Sequence, residues 1–85
     1  MKKHVKNYFK YFGYIHQNEI MCENCGRLAV DLHHIEYGRY KRDDSVENII
    51  ALCRDCHNKA HNSEIPKFLL QETHNYKLNE RRLSH

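Results

Sequence analysis

The sequence predicts a small α+β domain in which a strand hairpin and the helix that follows it are clamped together by cysteines. Three observations indicate this fold class. The chain has 85 residues, which suits one domain. Its four cysteines form two Cys-x-x-Cys pairs, Cys22/Cys25 and Cys53/Cys56, and each pair lies beside a short segment of strand-like sequence. A chain this short buries only about 60% of the surface that its unfolded form exposes, so it commonly needs a disulfide, a metal ion or a partner chain to be stable.

The two cysteine pairs favour a tetrahedral Zn²⁺ site over two disulfide bonds. The N-terminus does not read as a secretory signal, and no stretch approaches the roughly 20 apolar residues of a membrane span. We therefore expect a cytoplasmic protein without membrane association, whose thiols stay reduced and can bind a metal ion. Two alternatives stay open at this point: a pair of disulfides in a secreted mini-protein, and a Cys₃His site in which His57 replaces one cysteine.

Residues 1–20 are predicted to form an amphipathic helix and an irregular lead-in. The helix is expected over residues 3–12, because apolar residues recur there at i, i+3, i+4 and i+7 and form one stripe for the core. Gly13 is a suitable stop. The lysines of this segment lie mostly off the stripe and are interpreted as a solvated face. The stripe consists of Val5, Tyr8, Phe9 and Phe12.

Residues 21–62 are predicted to contain the ββα core. A strand over 27–35 follows the first cysteine pair, a polar loop covers 36–47, and a second strand covers 48–52. The second cysteine pair then opens a helix that runs to His61. Long loops in compact domains often carry function. The first strand is predicted from the alternation of Leu28, Val30 and Leu32 with smaller or more polar neighbours.

Residues 63–85 are predicted to form a C-terminal helix and a tail within the same domain. Ser63 and Pro66 mark the start of the helix, whose apolar side continues to about residue 74. The polar residues 75–85 are expected to be frayed or disordered. Four histidines outside the core are interpreted as surface residues: His4, His16, His74 and His85.

Four histidines of the core form a second candidate cluster. His57 and His61 lie at i, i+4 on the predicted helix, and this spacing lets two imidazoles bind one metal ion. His33 and His34 end the first strand, where alternation sends them to opposite faces unless the strand ends or bulges there. Three imidazoles with open coordination positions suit Mg²⁺, Mn²⁺, Ni²⁺ or Zn²⁺. A fourth, unligated histidine can take a proton from water near neutral pH.

These residues resemble the Cys-containing branch of the HNH endonucleases. The resemblance covers about residues 21–62 and rests on the segments Asp31-Leu-His-His-Ile35 and Val46-Glu-Asn-Ile-Ile-Ala-Leu-Cys-Arg-Asp-Cys-His57. It implies a zinc-stabilised, treble-clef-like ββα-metal fold. Short phage-encoded HNH proteins have a similar size, so the resemblance also implies a bacterial or phage origin and a place in the bacterial or infected host cell.

The resemblance implies a role for each residue of the motif. His33 and His57 correspond to ligands of the catalytic metal ion, and His61 to a third ligand or a phosphate contact. His34 corresponds to the general base that activates water. Asn48 corresponds to the family's middle Asn, which holds the hairpin loop and orients the base through its backbone carbonyl. The family's reaction leaves a 5′-phosphate and a 3′-hydroxyl.

We therefore expect a metal-dependent endonuclease that acts on double-stranded DNA with little sequence preference of its own. Targeting or double-strand cutting would then come from a homodimer or a partner protein. The net charge of +3 permits binding to a polyanion without proving it. The alternative is a non-catalytic zinc module that binds nucleic acid or protein on the same scaffold. The basic residues expected to contact phosphates are Arg39, Lys41, Arg42, Arg54 and Lys59.

Two further residues of the motif region are interpreted as ordinary surface groups. Asp31 is expected to be a strand-face charge rather than a partner of the histidines. Tyr37 is expected to pack within its loop rather than to stack on a base or sugar.

Overall fold

The computed structural model describes residues 1–37 and 43–83 and has the predicted α+β architecture, with three helices and one two-stranded sheet in those ranges. The helices are α1 (Lys3–Phe12), α2 (Arg54–His61) and α3 (Lys67–Leu83), and the strands are β1 (Asp31–His34) and β2 (Ile49–Leu52). Short 3-10 turns at Gln17–Glu19 and Val46–Asn48 precede the strands. Among these helices, none is long and apolar enough to cross a membrane.

Strand β2 is the centre of the fold because it is buried on both faces. All four of its residues are 0% exposed. Alternation sends Ile49 and Ala51 into one apolar cluster with α1, and Ile50 and Leu52 into a second cluster with three cysteines and α3. The core therefore consists of two small halves that share one strand, with residues of α1 in one half and Leu70 of α3 in the other.

The register of the hairpin decides where the two adjacent histidines lie. Strand β1 pairs antiparallel with β2, with His33 opposite Ile50 and His34 opposite Ile49. Because directly opposed residues lie on the same face of a sheet, His33 shares the face of the cysteine cluster and His34 shares the face of α1. The alternation expected for an ordinary strand is present, and no bulge brings the two imidazoles together.

Strand β1 covers only the end of the strand predicted over 27–35. The earlier part pairs with the lead-in instead, through a bridge between Met21 and Leu28 and a hydrogen bond of 2.9 Å from Ala29 N to Ile20 O. The first cysteine pair lies between these two stretches and turns the chain back on itself, so the pairing is local. In consequence the alternating apolar residues of this segment are not the buried ones, since Leu28 is 51% exposed and its neighbour Ala29 is 3% exposed.

Helix α1 has the predicted bounds and buries the predicted stripe. Tyr8 and Phe9 are buried, while Val5 and Phe12 pack against them from partly buried positions. Gly13 ends the helix with a left-handed φ of 75°, and its N–H donates to Phe9 O.

Helix α3 extends to Leu83, so the prediction of a frayed segment from residue 75 is wrong for the described part of the chain. Leu70, His74 and Leu78 recur at i, i+4 and i+8 and are buried against the core. His74 is not the surface residue that the sequence predicts, because its side chain is fully buried. A buried polar residue at the middle of the stripe made the apolar pattern end too early.

Candidate metal centres and active site

The four cysteines form one group at the base of the hairpin. Cys53 is the N-cap of α2 and Cys56 lies in its first turn, while the other two lie on the turn before β1. The Sγ atoms of Cys25 and Cys53 are 3.5 Å apart, too far for a disulfide bond of about 2.05 Å. Tetrahedral Zn–S bonds of about 2.3 Å place sulfurs about 3.8 Å apart, so this group fits a tetrahedral metal ion.

The start of α2 favours a thiolate at Cys53. The Cys56 N–H donates to Cys53 Sγ at 3.5 Å, and this hydrogen bond, together with those from the neighbouring cysteines, lowers the pKa of Cys53 to about 7. Asn24 Nδ2 donates to Cys56 Sγ at 3.4 Å. Burial nevertheless raises the pKa of Cys56 to about 12. All four sulfurs can be ionised together only with a cation among them, which is the chemistry of a structural metal site.

The structure brings His33, His57 and His61 together as a second group. The Nε2 atoms of His57 and His61 are 2.9 Å apart across one turn of α2. The ring centroid of His33, on β1, lies 5.1 Å from that of His57 and 5.3 Å from that of His61. His57 therefore belongs with the imidazoles and not with the sulfurs, which argues against a Cys₃His site.

This three-histidine group has donors suited to a metal ion. His33 Nδ1 is buried and has no hydrogen-bond partner among the described residues, a deficit that a bound cation nearby would relieve. Burial and the neighbouring His57 and His61 rings lower the pKa of His33 to about 4, so this imidazole stays neutral at physiological pH, as a metal ligand must be. His61 is exposed, which leaves the group open to solvent.

Asp31 orients one of these imidazoles. Its Oδ2 lies 2.9 Å from Nδ1 of His57, and Nε2 of the same ring then faces His61. A carboxylate on the far nitrogen of a ligating histidine is a common partner that holds the ring and its tautomer. The interpretation of Asp31 as a strand-face charge missed this contact. The strand period contained the signal, since Asp31 lies two residues before His33 and therefore on the same face.

His34 lies outside the three-histidine group, on the other face of β1. Its Nε2 is 2.8 Å from Asp44 Oδ1, and its ring centroid is 4.6 Å from that of His4. His4, His34 and Asp44 form a third group of potential ligands. His4 is only 9% exposed, so its interpretation as a surface residue is wrong. It precedes Tyr8 by one helical turn and shares the buried face of α1.

Asn48 closes the loop between the strands. Its Nδ2 donates to the carbonyl oxygens of Glu36 and Asp43, each at 2.9 Å, and its Oδ1 accepts from the Glu36 N–H at 2.9 Å. The Asn48 backbone carbonyl accepts from the Ile35 N–H at 2.8 Å. This carbonyl therefore bonds the residue after His34, whereas the His34 imidazole itself is held by Asp44.

The two histidine groups approach each other at Tyr37. Its ring centroid is 5.9 Å from that of His33 and 6.1 Å from that of His34. Tyr37 is 56% exposed, so it contacts its loop neighbours and also presents a ring to solvent. One histidine of each group therefore lies beside the same partly exposed ring.

Two of the five basic residues predicted to contact phosphates lie in the described part of the chain. Arg54 and Lys59 are exposed on α2. Helical periodicity places Arg54 one turn before His57, on the side of the three-histidine group, and Lys59 on the opposite side of the helix. The remaining three lie outside the described residues: Arg39, Lys41 and Arg42.

The model of the HNH endonuclease family matches residues 22–63, a segment that contains both cysteine pairs and the three-histidine group. The type IV methyl-directed restriction enzyme EcoKMcrA of Escherichia coli (strain K12) is 30% identical over an alignment of 67 residues, and the match covers 67% of this chain and 24% of that enzyme. The chain thus matches about a quarter of the length of this curated relative. No solved structure matches significantly. The resemblance seen in the sequence is confirmed, because residues 22–63 of this chain match the HNH endonuclease domain.

Proposed function

We propose that this protein is a metal-dependent endonuclease that hydrolyses phosphodiester bonds of double-stranded DNA and leaves 5′-phosphate and 3′-hydroxyl ends. The observation that carries the proposal is the presence of two separate ligand groups, four sulfurs in one and three imidazoles in the other. Four cysteines fill a structural tetrahedral site, whereas three histidines leave positions for water or substrate. A module that only binds would need the sulfur group alone.

The two groups have different tasks in this proposal. The four cysteines hold Zn²⁺, and His33, His57 and His61 hold the catalytic divalent ion, with Asp31 as a positioning residue behind His57. When bound, this ion neutralises charge on the scissile phosphate and supports the leaving 3′-oxygen. Imidazole ligands favour Mn²⁺, Ni²⁺ or Zn²⁺ over Mg²⁺ in affinity, so availability decides which ion serves.

His34 acts as the general base. A water proton passes to Nδ1 of His34, the water oxygen attacks phosphorus, and the bond from phosphorus to the 3′-oxygen breaks, after which the leaving oxygen takes a proton from solvent water to give the 3′-hydroxyl. Asp44 accepts from Nε2–H and so keeps the lone pair on Nδ1. Asn48 is a positioning residue, because it bonds both ends of the loop that presents Asp44.

DNA is favoured as the substrate because the similar Escherichia coli protein is a restriction enzyme. Arg54 supports phosphate binding because it is exposed on the side of α2 that carries His57 and His61. One site of this kind cuts one strand, so double-strand cutting would require a homodimer or a partner protein. Phosphate contacts from the loop and from Lys59 stay predictions: Arg39, Lys41, Arg42 and Lys59.

A plasmid-nicking assay with Mg²⁺, Mn²⁺ or Ni²⁺ tests the proposal. We expect the Zn²⁺-loaded chain to nick, His34→Ala to nick about a hundredfold more slowly or worse, and the control His16→Ala, which alters an exposed histidine outside the three ligand groups, to match the natural chain. Undiminished nicking by His34→Ala would refute the assignment of the base. A folded, Zn²⁺-loaded chain that nicks with none of these ions would be a non-catalytic zinc module.

A further inference from the structure

We propose that His4, His34 and Asp44 form a third metal site, which takes a divalent transition-metal ion such as Zn²⁺ and silences the nuclease by occupying the imidazole of His34. The inhibitory part of this inference rests on the proposed function of His34 as the general base. The binding of the ion does not.

Three elements supply the donors of this site. His4 comes from α1, His34 from β1 and Asp44 from the end of the loop, and their ligand atoms all lie within 4.8 Å of one another. A tetrahedral ion with bonds of about 2.0–2.1 Å holds its donors about 3.3 Å apart. His34 Nε2 and Asp44 Oδ1 are already 2.8 Å apart, so an ion would replace the shared proton after a small separation of these two atoms.

The site is preorganised by its surroundings. His4 and His34 are 9% and 7% exposed, and the side chain of Asp44 is 15% exposed. Asn7 Nδ2 donates to the backbone carbonyl of Asp44 at 2.8 Å and anchors it to α1. Because the fold already holds the donors, little further ordering is needed for an ion to bind, and burial reduces competition from water.

The donor chemistry selects the class of ion. Two imidazoles and one carboxylate suit Zn²⁺, Co²⁺, Ni²⁺ and Fe²⁺, whereas Mg²⁺ and Ca²⁺ prefer ligand sets made of oxygen. Three protein ligands leave at least one position for water. We therefore expect this site to bind transition-metal ions and to ignore Mg²⁺.

An ion at this site removes the function proposed for His34. A neutral imidazole carries one N–H and one lone pair. When the lone pair on Nε2 binds an ion, the ring proton must lie on Nδ1, and Nδ1 can no longer accept a proton from water. Occupancy therefore abolishes the general base without disturbing the three-histidine group.

Ion stoichiometry tests the site without any reference to activity. The full-length natural chain, His4→Phe and the control His16→Phe are dialysed to equilibrium against buffered free Zn²⁺, and bound Zn²⁺ per folded chain is measured by elemental analysis. His4→Phe keeps an aromatic ring beside His34 but lacks the nitrogen donors. We expect it to bind one ion fewer than the natural chain and the control.

Asp44→Asn keeps the shape of the side chain and should also bind one ion fewer, so it replaces His4→Phe as the test if His4→Phe does not fold. If the natural chain and either folded variant bind the same number of ions, the third metal site does not exist.

Nicking with Mg²⁺ as the activating ion, with and without added Zn²⁺, tests the inhibition. We expect Zn²⁺ to slow the natural chain by about a hundredfold or more, the loss typical for a general base, and to slow His4→Phe much less relative to its own rate with Mg²⁺ alone. If Zn²⁺ slows both chains to the same degree, the inhibitory role is refuted.

If the ion count differs but no chain nicks with any ion, the proposed function fails and the third site stands. If the chains nick and the ion counts are equal, the third site fails and the proposed function stands.

Discussion

Glu23 and His74 meet in the centre of the fold, with Oε1 of Glu23 2.8 Å from Nδ1 of His74 and the two side chains 1% and 0% exposed. They are 51 positions apart in the chain. Glu23 Oε2 also accepts from Tyr8 OH at 2.6 Å and from Ala51 N at 3.0 Å, while His74 Nε2 lies 2.5 Å from Val46 O. One buried carboxylate therefore ties the first cysteine turn to α1, β2 and α3.

Loss of the imidazole from this pair should destabilise the protein strongly. We expect His74→Leu to lower the free energy of unfolding by about 3–5 kcal/mol, because Glu23 would remain buried without its partner. Adding Glu23→Gln to His74→Leu should recover part of this loss, because the uncompensated carboxylate is then removed. Urea denaturation of the Zn²⁺-loaded chains measures both, with His16→Leu as an exposed control. A loss below about 1 kcal/mol in His74→Leu would mean that the pair does not hold α3.

The end of α3 should contribute to stability as a packed helix. Leu78 is 5% exposed and Leu83 is 85% exposed on the same helix. We expect Leu78→Ala to lower the free energy of unfolding by about 2–4 kcal/mol, because it leaves a cavity in the core. Leu83→Ala should change that free energy by less than about 0.5 kcal/mol. Thermal and urea unfolding of the two variants provide the comparison. Equal, small losses would indicate that residues beyond 74 are frayed after all.

Removal of the structural ion should unfold the chain. Binding of a structural Zn²⁺ ion contributes about 10–16 kcal/mol to the folding of zinc-finger peptides. This is more than the hydrophobic core of a domain of this size contributes to stability. We expect Cys53→Ser, or a strong chelator, to abolish the helical circular dichroism signal of the natural chain. His61→Ala should leave that signal intact, because it alters the imidazole group alone. A chelated chain that keeps its native spectrum would show that the core is stable without the sulfur-bound ion.

The carboxylate behind His57 should set the affinity of the imidazole group. We expect Asp31→Asn to weaken binding of Mn²⁺ or Ni²⁺ at that group by about 10–100-fold, because the amide holds the ring less firmly and polarises it less. Asp55→Asn is the matched control, since Asp55 is exposed and pairs with Arg27 on the surface. Isothermal titration of the Zn²⁺-loaded chains compares the two. Unchanged affinity in Asp31→Asn would remove Asp31 from the description of the site.

The sequence alone predicted the structural features that depend on interactions between residues close together in the chain. The spacing of each Cys-x-x-Cys pair predicted one ligand cluster, and the i, i+4 spacing of His57 and His61 predicted a shared helix face that the structure displays. Strand alternation indicated opposite faces for His33 and His34 unless the strand ended or bulged there, and the register of the hairpin shows the alternation without a bulge. These features follow from the periods of the backbone, which operate within a few residues.

Only the tertiary structure decided which polar groups are buried and what they contact. The sequence predicts that His4, His16 and His74 are all surface residues. In the structure His4 and His74 are buried and His16 is exposed. Asp44 reaches His34, and Glu23 reaches His74, because the hairpin and the two flanking helices converge on β2. A buried polar side chain is tolerated only where the fold supplies its partner, and that partner lies too far along the chain for any local pattern to reveal it.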